Sequence, residues 1–426
     1  MKKLLLGLVF FLLFIPLIQW NIQLFEEEPL GGEYTVAEEP ELNWNNWLTG
    51  SYQEQFSSFF NDTIGFKKTL VRTYNQYCFS LFNKANSVNT IIGKDKVLFQ
   101  ENVIESYLGK NFAGEDKLNK IVDDFKSAQI DLEKRGILLV AVIAPGKASF
   151  LKEYIPTRFA LSQKKTNNYD YLTKRLIEKD ANIVDLSELL RNTKTEYPLF
   201  PKNGMHWSGY STILTFNSLT RFIEEKTKKN LRGYIQKPGV LTKDSLRYTD
   251  NDIAKAMNTL WLPENFLMNY PVVEFEEDKY YKPNVLIIGD SYSQSFYGFY
   301  PFYENVFNSE SSFWYYNRIE LWPYESGKET NVHKLDKKEE ILSRNVILLM
   351  ATEDNLHRFG FGFLEDYKYI LEGVESPKDK EVKRLEESIR NNPEWMKFIY
   401  IQAKERNQTV DQTVRANAIH LFNNKK

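Results

Sequence analysis

Three uninterrupted apolar runs constrain this chain most. Ile137-Leu138-Leu139-Val140-Ala141-Val142-Ile143-Ala144, Val285-Leu286-Ile287-Ile288 and Val346-Ile347-Leu348-Leu349-Met350 contain no polar residue. A strand with one wet face alternates apolar and polar positions. A strand apolar throughout must be covered on both faces, the condition of a parallel sheet between helices. The covers have helical spacing: Leu118, Ile121, Val122, Phe125, Ala128 and Leu132 within Lys117–Lys134, then Tyr169–Lys179 and Ser208–Lys228. A short strand is expected at Ile183-Val184-Asp185-Leu186. Strands alternating with helices predict a three-layer α/β/α parallel sheet. Such sheets bind ligands beyond the carboxyl ends of their strands, so the residues just after each run deserve the closest reading.

Composition excludes several function classes. The 426 residues carry 55 Lys+Arg against 57 Asp+Glu, and this near-neutral balance argues against a general nucleic-acid binder. With 1 Cys and 4 His, a Cys-based zinc module is excluded, and neither a metal nor an organic cofactor is expected. Cys78 has no partner for an intrachain disulfide.

The N-terminus sets an expected location. Lys2 and Lys3 precede an uncharged run of 17 residues, Leu4 to Trp20, near the lower limit for spanning a bilayer. The exit of the run, Pro16 to Asn21, lacks the small residues of a cleavage site, so residues 1–22 read as a retained signal anchor. Lysines before the run and Glu26, Glu27 and Glu28 after it predict a chain exported from the cytoplasm, in the periplasm or at the cell surface. Residues 23–45 read as a linker. Residues 46–110 read as an N-terminal helical region with apolar positions Phe56, Phe59, Phe60, Leu70, Tyr74 and Tyr77. The main domain is expected over 111–374. A charged helical appendage over 375–426 has Leu385, Ile389, Trp395, Phe398, Ile399 and Ala403 at helical intervals.

Three segments can carry chemistry. Gly289-Asp290-Ser291-Tyr292-Ser293 follows the second apolar run, where a strand-to-helix turn projects a serine hydroxyl and offers backbone N–H groups to an oxyanion. The same residues also suit a helix cap. Asn203-Gly204-Met205-His206-Trp207 precedes a predicted helix and provides a histidine, the natural base for a serine nucleophile. Ala351-Thr352-Glu353-Asp354-Asn355 follows the third run and places carboxylates where they could orient that base or simply begin a helix.

Together these segments resemble the SGNH hydrolases. Gly289-Asp290-Ser291 is similar to the block that holds the family's nucleophile, and Asn203 to His206 to its Asp-x-x-His block. Histidine precedes serine here, a circularly permuted order. That order, the His206-Trp207 pair and the N-terminal anchor resemble the alginate O-acetyltransferase-like proteins. Gly93 to Phe99 and the Ala144-Pro145-Gly146-Lys147 turn agree with that resemblance, which covers roughly residues 45–370. One position departs: where the family carries its carboxylate, this chain has Asn203 and Gly204. Either Asn203 orients the imidazole, or Glu353 or Asp354 provides the charge, or the site is degenerate. An Asp-to-Asn change in a serine protease triad costs about 10⁴ in turnover.

The resemblance implies an O-acetyltransferase that carries an acetyl group on Ser291, with His206 as base, Asp290 beside the nucleophile as a further catalytic residue and the Ser291 N–H holding the oxyanion. It implies a polysaccharide acceptor and a multi-spanning membrane acyltransferase as donor partner. An acetyl esterase and an inactive carbohydrate-binding scaffold are the alternatives. Substrate contacts are expected from Lys147, Tyr292, Trp207, Asn355, Trp314 and Tyr315. Tyr297 to Tyr324 holds 12 aromatics in 28 residues; most are expected in the core, with two or three lining an acceptor groove.

Overall fold

The computed structural model describes residues 2–32, 36–277, 280–323, 330–406 and 408–424; Tyr324, from the aromatic segment, lies outside them. The chain forms two units. One comprises Met1–Asn83, Lys255–Trp261 and Glu375–Lys426; the other comprises Lys84–Ala254 and Leu262–Val374.

The second unit is built on a seven-stranded sheet. Its strands are β1 (Leu138–Ala144), β2 (Ile183–Asp185), β3 (Val285–Gly289), β4 (Ser312–Tyr315), β5 (Ile319–Trp322), β6 (Thr330–Asn331) and β7 (Val346–Thr352). The order across the sheet is β6-β5-β4-β3-β7-β1-β2. The three apolar runs are its centre: β7 pairs in parallel with β1 on one side and β3 on the other. Strand β2 extends the parallel set beyond β1, and β4 extends it beyond β3.

The sheet is not wholly parallel, as the sequence had suggested. Strands β5 and β6 add antiparallel pairs at one edge. The cause is a tight turn at Tyr316-Asn317, both at positive φ (51° and 55°), closed by Arg318 N–H to the Tyr315 carbonyl at 3.0 Å. Two successive left-handed residues reverse the chain as a hairpin does, and leave no length for a crossover helix.

Helix Glu115–Lys134 covers the sheet with the six residues its spacing marked, each 5% exposed or less. They join Leu139, Ala141, Ile143, Leu286, Ile288, Ile347 and Leu349 in one core. Truncating Phe125, fully buried there, to alanine would cost about 3–5 kcal/mol. Helix Gly209–Thr227 begins at Ser208, whose hydroxyl accepts the Ser211 N–H at 3.2 Å. This cap fixes where the loop bearing His206 enters the helix.

The first unit is helical. Lys2–Ile22 is one helix, long and apolar enough to cross a membrane. Trp20 packs edge-on against Phe60 at 5.4 Å and donates its indole N–H to Thr63 Oγ1 at 3.1 Å. In helix Lys67–Phe82 the buried residues are Cys78 and Phe79, whereas Leu70, Tyr74 and Tyr77 are exposed. Val382, Leu385, Ile389, Ile399, Val414 and Ala418 form the separate core of three C-terminal helices, and Phe398 stays exposed.

Candidate active site

Strand β3 ends at Gly289, and the chain turns at once into the short 3₁₀ turn Ser291–Gln294. Only glycine fits at 289, because a Cβ there would lie 2.4 Å from Ser293 Oγ and 2.9 Å from the Met350 carbonyl oxygen of β7. Asp290, 1% exposed, locks the turn to β7. Its Oδ2 accepts from Thr352 N (2.8 Å), Thr352 Oγ1 (2.7 Å) and Asn355 Nδ2 (2.9 Å), and its Oδ1 accepts from Tyr292 N (3.2 Å). With both oxygens engaged, Asp290 braces the nucleophile's turn and does not reach the imidazole, a correction to its expected catalytic place.

His206 Nε2 lies 2.8 Å from Ser291 Oγ. The group at the other ring nitrogen is none of the three candidates. Asp252 Oδ2 sits 2.9 Å from His206 Nδ1. Its Oδ1 accepts the Met205 N–H at 2.8 Å, so the carboxylate grips the histidine loop at two points. A carboxylate only accepts hydrogen bonds. Nδ1 therefore carries the ring proton, and Nε2 presents its lone pair to the serine hydroxyl. His206 and Asp252 side chains are 11% and 31% exposed, so solutes can reach the site.

Asp252 arrives on the excursion between the strands of an antiparallel ribbon, Tyr234–Thr242 with Met268–Phe275. Gly204 explains how it fits. A Cβ at 204 would lie 2.4 Å from the Thr249 carbonyl oxygen and 2.8 Å from the Asp250 carbonyl carbon. The position where the resemblance implied a carboxylate is thus cleared for the loop that delivers Asp252.

The remaining expected contacts are corrected by burial and hydrogen bonding. Asn203 is fully buried and its amide donates to the Pro263 carbonyl at 2.6 Å. Glu353 accepts from Ser187 Oγ and lies 3.4 Å from Arg191 Nη1, on the side of β1 and β2. Asp354 Oδ2 accepts from Asn102 Nδ2 at 3.2 Å. Lys147 is also fully buried; its Nζ donates to the carbonyls of Lys202 (3.0 Å) and Gly204 (2.6 Å), and burial lowers its pKa to about 7. Tyr292 donates to the Met205 carbonyl at 2.9 Å and packs its ring 4.7 Å from the imidazole. Trp207 is buried against Tyr292 and Phe296, and Trp314 belongs to the sheet core. Asn355 is spent on Asp290 and on Arg358, whose Nη2 it holds at 2.6 Å. Lys147, Tyr292, Trp207, Trp314 and Asn355 therefore build the site rather than line it; Tyr315 is half-buried at the end of β4.

Of the aromatic segment, Tyr300, Phe302, Tyr303, Phe307, Phe313, Trp314 and Trp322 are buried. Phe302 stacks on Phe216 at 4.3 Å, which is core packing.

A mostly parallel sheet that presents a serine, a histidine and an aspartate beyond its carboxyl edge defines an acyl-transfer scaffold of SGNH type. The sequence matches the model of the SGNH hydrolase-like domain of acetyltransferase AlgX over residues 90–311, just over half of the chain. The chain belongs to this family and is an SGNH-type O-acetyltransferase. Among solved structures it is similar to the O-acetyltransferase domain of Pseudomonas putida AlgJ, at 16% identity over 66% of this chain and 98% of that one, TM-score 0.43. It is also similar to Pseudomonas aeruginosa AlgX, at 14% identity over 66% of each chain, TM-score 0.42. For Bacillus cereus PatB1 the values are 13% identity, 63% of this chain, 97% of that one and a TM-score of 0.38. No curated protein matches the sequence.

Proposed function

We propose that this acetyltransferase carries its acetyl group on Ser291 and passes it to hydroxyls of a polysaccharide outside the cytoplasm. The observation that carries the reading is the hydrogen-bonded series Ser291 Oγ, His206 Nε2, His206 Nδ1, Asp252 Oδ2, with distances of 2.8 Å and 2.9 Å. In the first half-reaction His206 takes the Ser291 proton as Oγ attacks the donor's acetyl carbonyl. The Ser291 N–H holds the oxyanion, and the leaving group departs with the proton from His206. In the second, His206 takes the proton of a sugar hydroxyl. That oxygen attacks the acetyl-serine, and the proton returns to Ser291 Oγ as the bond to it breaks. Asp252 stabilises the imidazolium in both halves.

The inactive-scaffold reading rested on the missing carboxylate at 203 and 204, and Asp252 removes that reason. The apolar helix Lys2–Ile22 with Lys2 and Lys3 at its start supports an anchored, exported enzyme. A donor inside the cell would then require a multi-spanning membrane acyltransferase to bring acetyl groups across. The test compares wild type with Ser291→Ala for cleavage of a chromogenic acetyl ester and for acetyl transfer from that ester to oligosaccharides. Wild type is expected to do both and the variant neither. Equal behaviour of the two proteins sinks the acetyl-serine; cleavage without any labelled sugar leaves an esterase.

A further inference from the structure

Tyr248 has a left-handed backbone, φ 47°, a region that bulky side chains rarely adopt. Its ring lies over Gly298, where even a Cβ would come within 2.4 Å of Tyr248 Cζ. It packs edge-on against Phe299 at 5.1 Å, and its hydroxyl donates to Gln294 Oε1 at 3.3 Å. Gln294 closes the turn that begins at Ser291, and Tyr248 precedes Asp252 by four residues. The ring is therefore clamped between the segment that delivers the triad carboxylate and the segment that follows the nucleophile. It is nevertheless 39% exposed. The left-handed backbone and the contacts with Gly298 and Phe299 hold the ring in one place while part of its surface stays open to solvent.

Two further tyrosines stand nearby. Tyr297 and the half-buried Tyr315 both pack on Phe313, with ring centroids at 6.4 Å and 6.2 Å. Burial raises the Tyr248 phenol to about 12, with the charge of Asp252 adding to the shift. Burial likewise raises the Tyr297 phenol, with Tyr248 and Tyr315 adding to the shift, so the Tyr248 and Tyr297 hydroxyls stay protonated at neutral pH. Flat apolar faces fringed with neutral hydroxyls match a pyranose ring, whose C–H face stacks and whose hydroxyls need donors and acceptors. We propose that Tyr248, with Tyr297 and Tyr315, forms the subsite that seats a pyranose ring of the acceptor against the acetylated Ser291. This assignment rests on the transferase reading above and names its acceptor site.

The test uses the full-length protein in a Ser291→Ala background, so that binding is read without turnover. β-1,4-linked pentasaccharides of glucose, mannose and N-acetylglucosamine are titrated by calorimetry. At least one is expected to bind. Tyr248→Gly, which removes the ring and relaxes the left-handed backbone, is expected to weaken it tenfold or more, and Tyr248→Phe by threefold or less. Tyr297→Ala, on an unstrained backbone, is expected to lose tenfold as well and serves if the glycine variant fails to fold. Absence of binding by all three sugars, or a loss under tenfold in the folded ring-deletion variants, overturns the subsite. Tyr248-dependent binding by a protein whose Ser291 form labels no sugar overturns transfer and leaves the subsite standing. Transfer that persists with affinity independent of Tyr248 does the reverse.

Discussion

Asp252 Oδ2 meets His206 Nδ1 at 2.9 Å across 46 positions of sequence, while its Oδ1 holds the Met205 N–H at 2.8 Å. One carboxylate thus fixes both the ring and the backbone that carries it. Replacing Asp252 by asparagine keeps the size but removes the charge and allows the wrong ring tautomer. Ester cleavage by Asp252→Asn should fall about 10³–10⁴-fold in kcat, by analogy with serine protease triads. Restoring the family's residue with Asn203→Asp in that background should recover nothing, because the 203 side chain is turned to the Pro263 carbonyl. Steady-state kinetics of the two variants decide this, and a recovered double variant would refute the assignment.

Gly204 offers a test of the same relationship from the opposite loop. Its missing Cβ leaves room for Thr249 and Asp250 at 2.4 Å and 2.8 Å. Backbone atoms at such distances cannot swing aside as a flexible side chain would. Gly204→Ala should displace the segment leading to Asp252 and lower kcat for the ester at least tenfold, in a protein that still folds. Asn203→Ala, two positions before Met205, should act mainly through stability, since it leaves the Pro263 carbonyl unpaired at a cost of about 1–3 kcal/mol. Kinetics alongside thermal unfolding separate the two effects.

Much of this site was legible because the apolar runs fix β1, β3 and β7, and parallel pairing then brings Ser291 and the Thr352–Asn355 segment to one edge. The pairing of His206 with Ser291 needed only the residue types and the resemblance. Asp252 was not legible for a physical reason. Its segment, Thr249-Asp250-Asn251-Asp252, reads as ordinary turn and cap chemistry. The ribbon that carries it contains Pro238, Gly239 and Pro271, which hide strand periodicity. The usable signal was Gly204: a small residue where a carboxylate was expected meant that another segment approached there. The substrate contacts failed differently. Trp207, Tyr292 and Trp314 lie close to reactive residues in sequence, but sequence proximity does not distinguish a side chain that faces the site from one that supports it from beneath.

Asp250 makes a prediction about pH. It is fully buried, and burial pushes its carboxyl up to about 8, against the pull of the Tyr270 hydroxyl bonded to its Oδ2 at 2.6 Å. Between about pH 4 and 8 the unfolded chain has lost this proton and the folded chain retains it. Stability from this group is full below pH 4 and is lost as the pH rises towards 8. Asp250→Asn mimics the protonated form and should flatten the fall of the unfolding midpoint across that window. Parallel midpoint curves for wild type and variant would show that Asp250 is ionised in the fold.

Lys147 should act in the opposite sense and at higher pH. Burial lowers it to about 7, with the charge of Asp252 opposing the shift. Its Nζ bonds the carbonyls of Lys202 and Gly204, and the two N–H bonds of a neutral amine suffice for both. From about pH 7 to 10.5 the unfolded chain holds a proton that the folded chain has shed, so this group makes folding more favourable as pH rises, with little change below pH 7. Lys147→Met removes that rise and leaves two buried carbonyls unpaired, at about 1–3 kcal/mol each. The variant should therefore melt lower at neutral pH and fall further behind wild type by pH 10. Because those carbonyls flank Asn203 in the loop that leads to His206, kcat for the ester should drop by about tenfold as well. A constant gap in melting temperature from pH 7 to 10 would mean that the lysine stays charged in the folded protein.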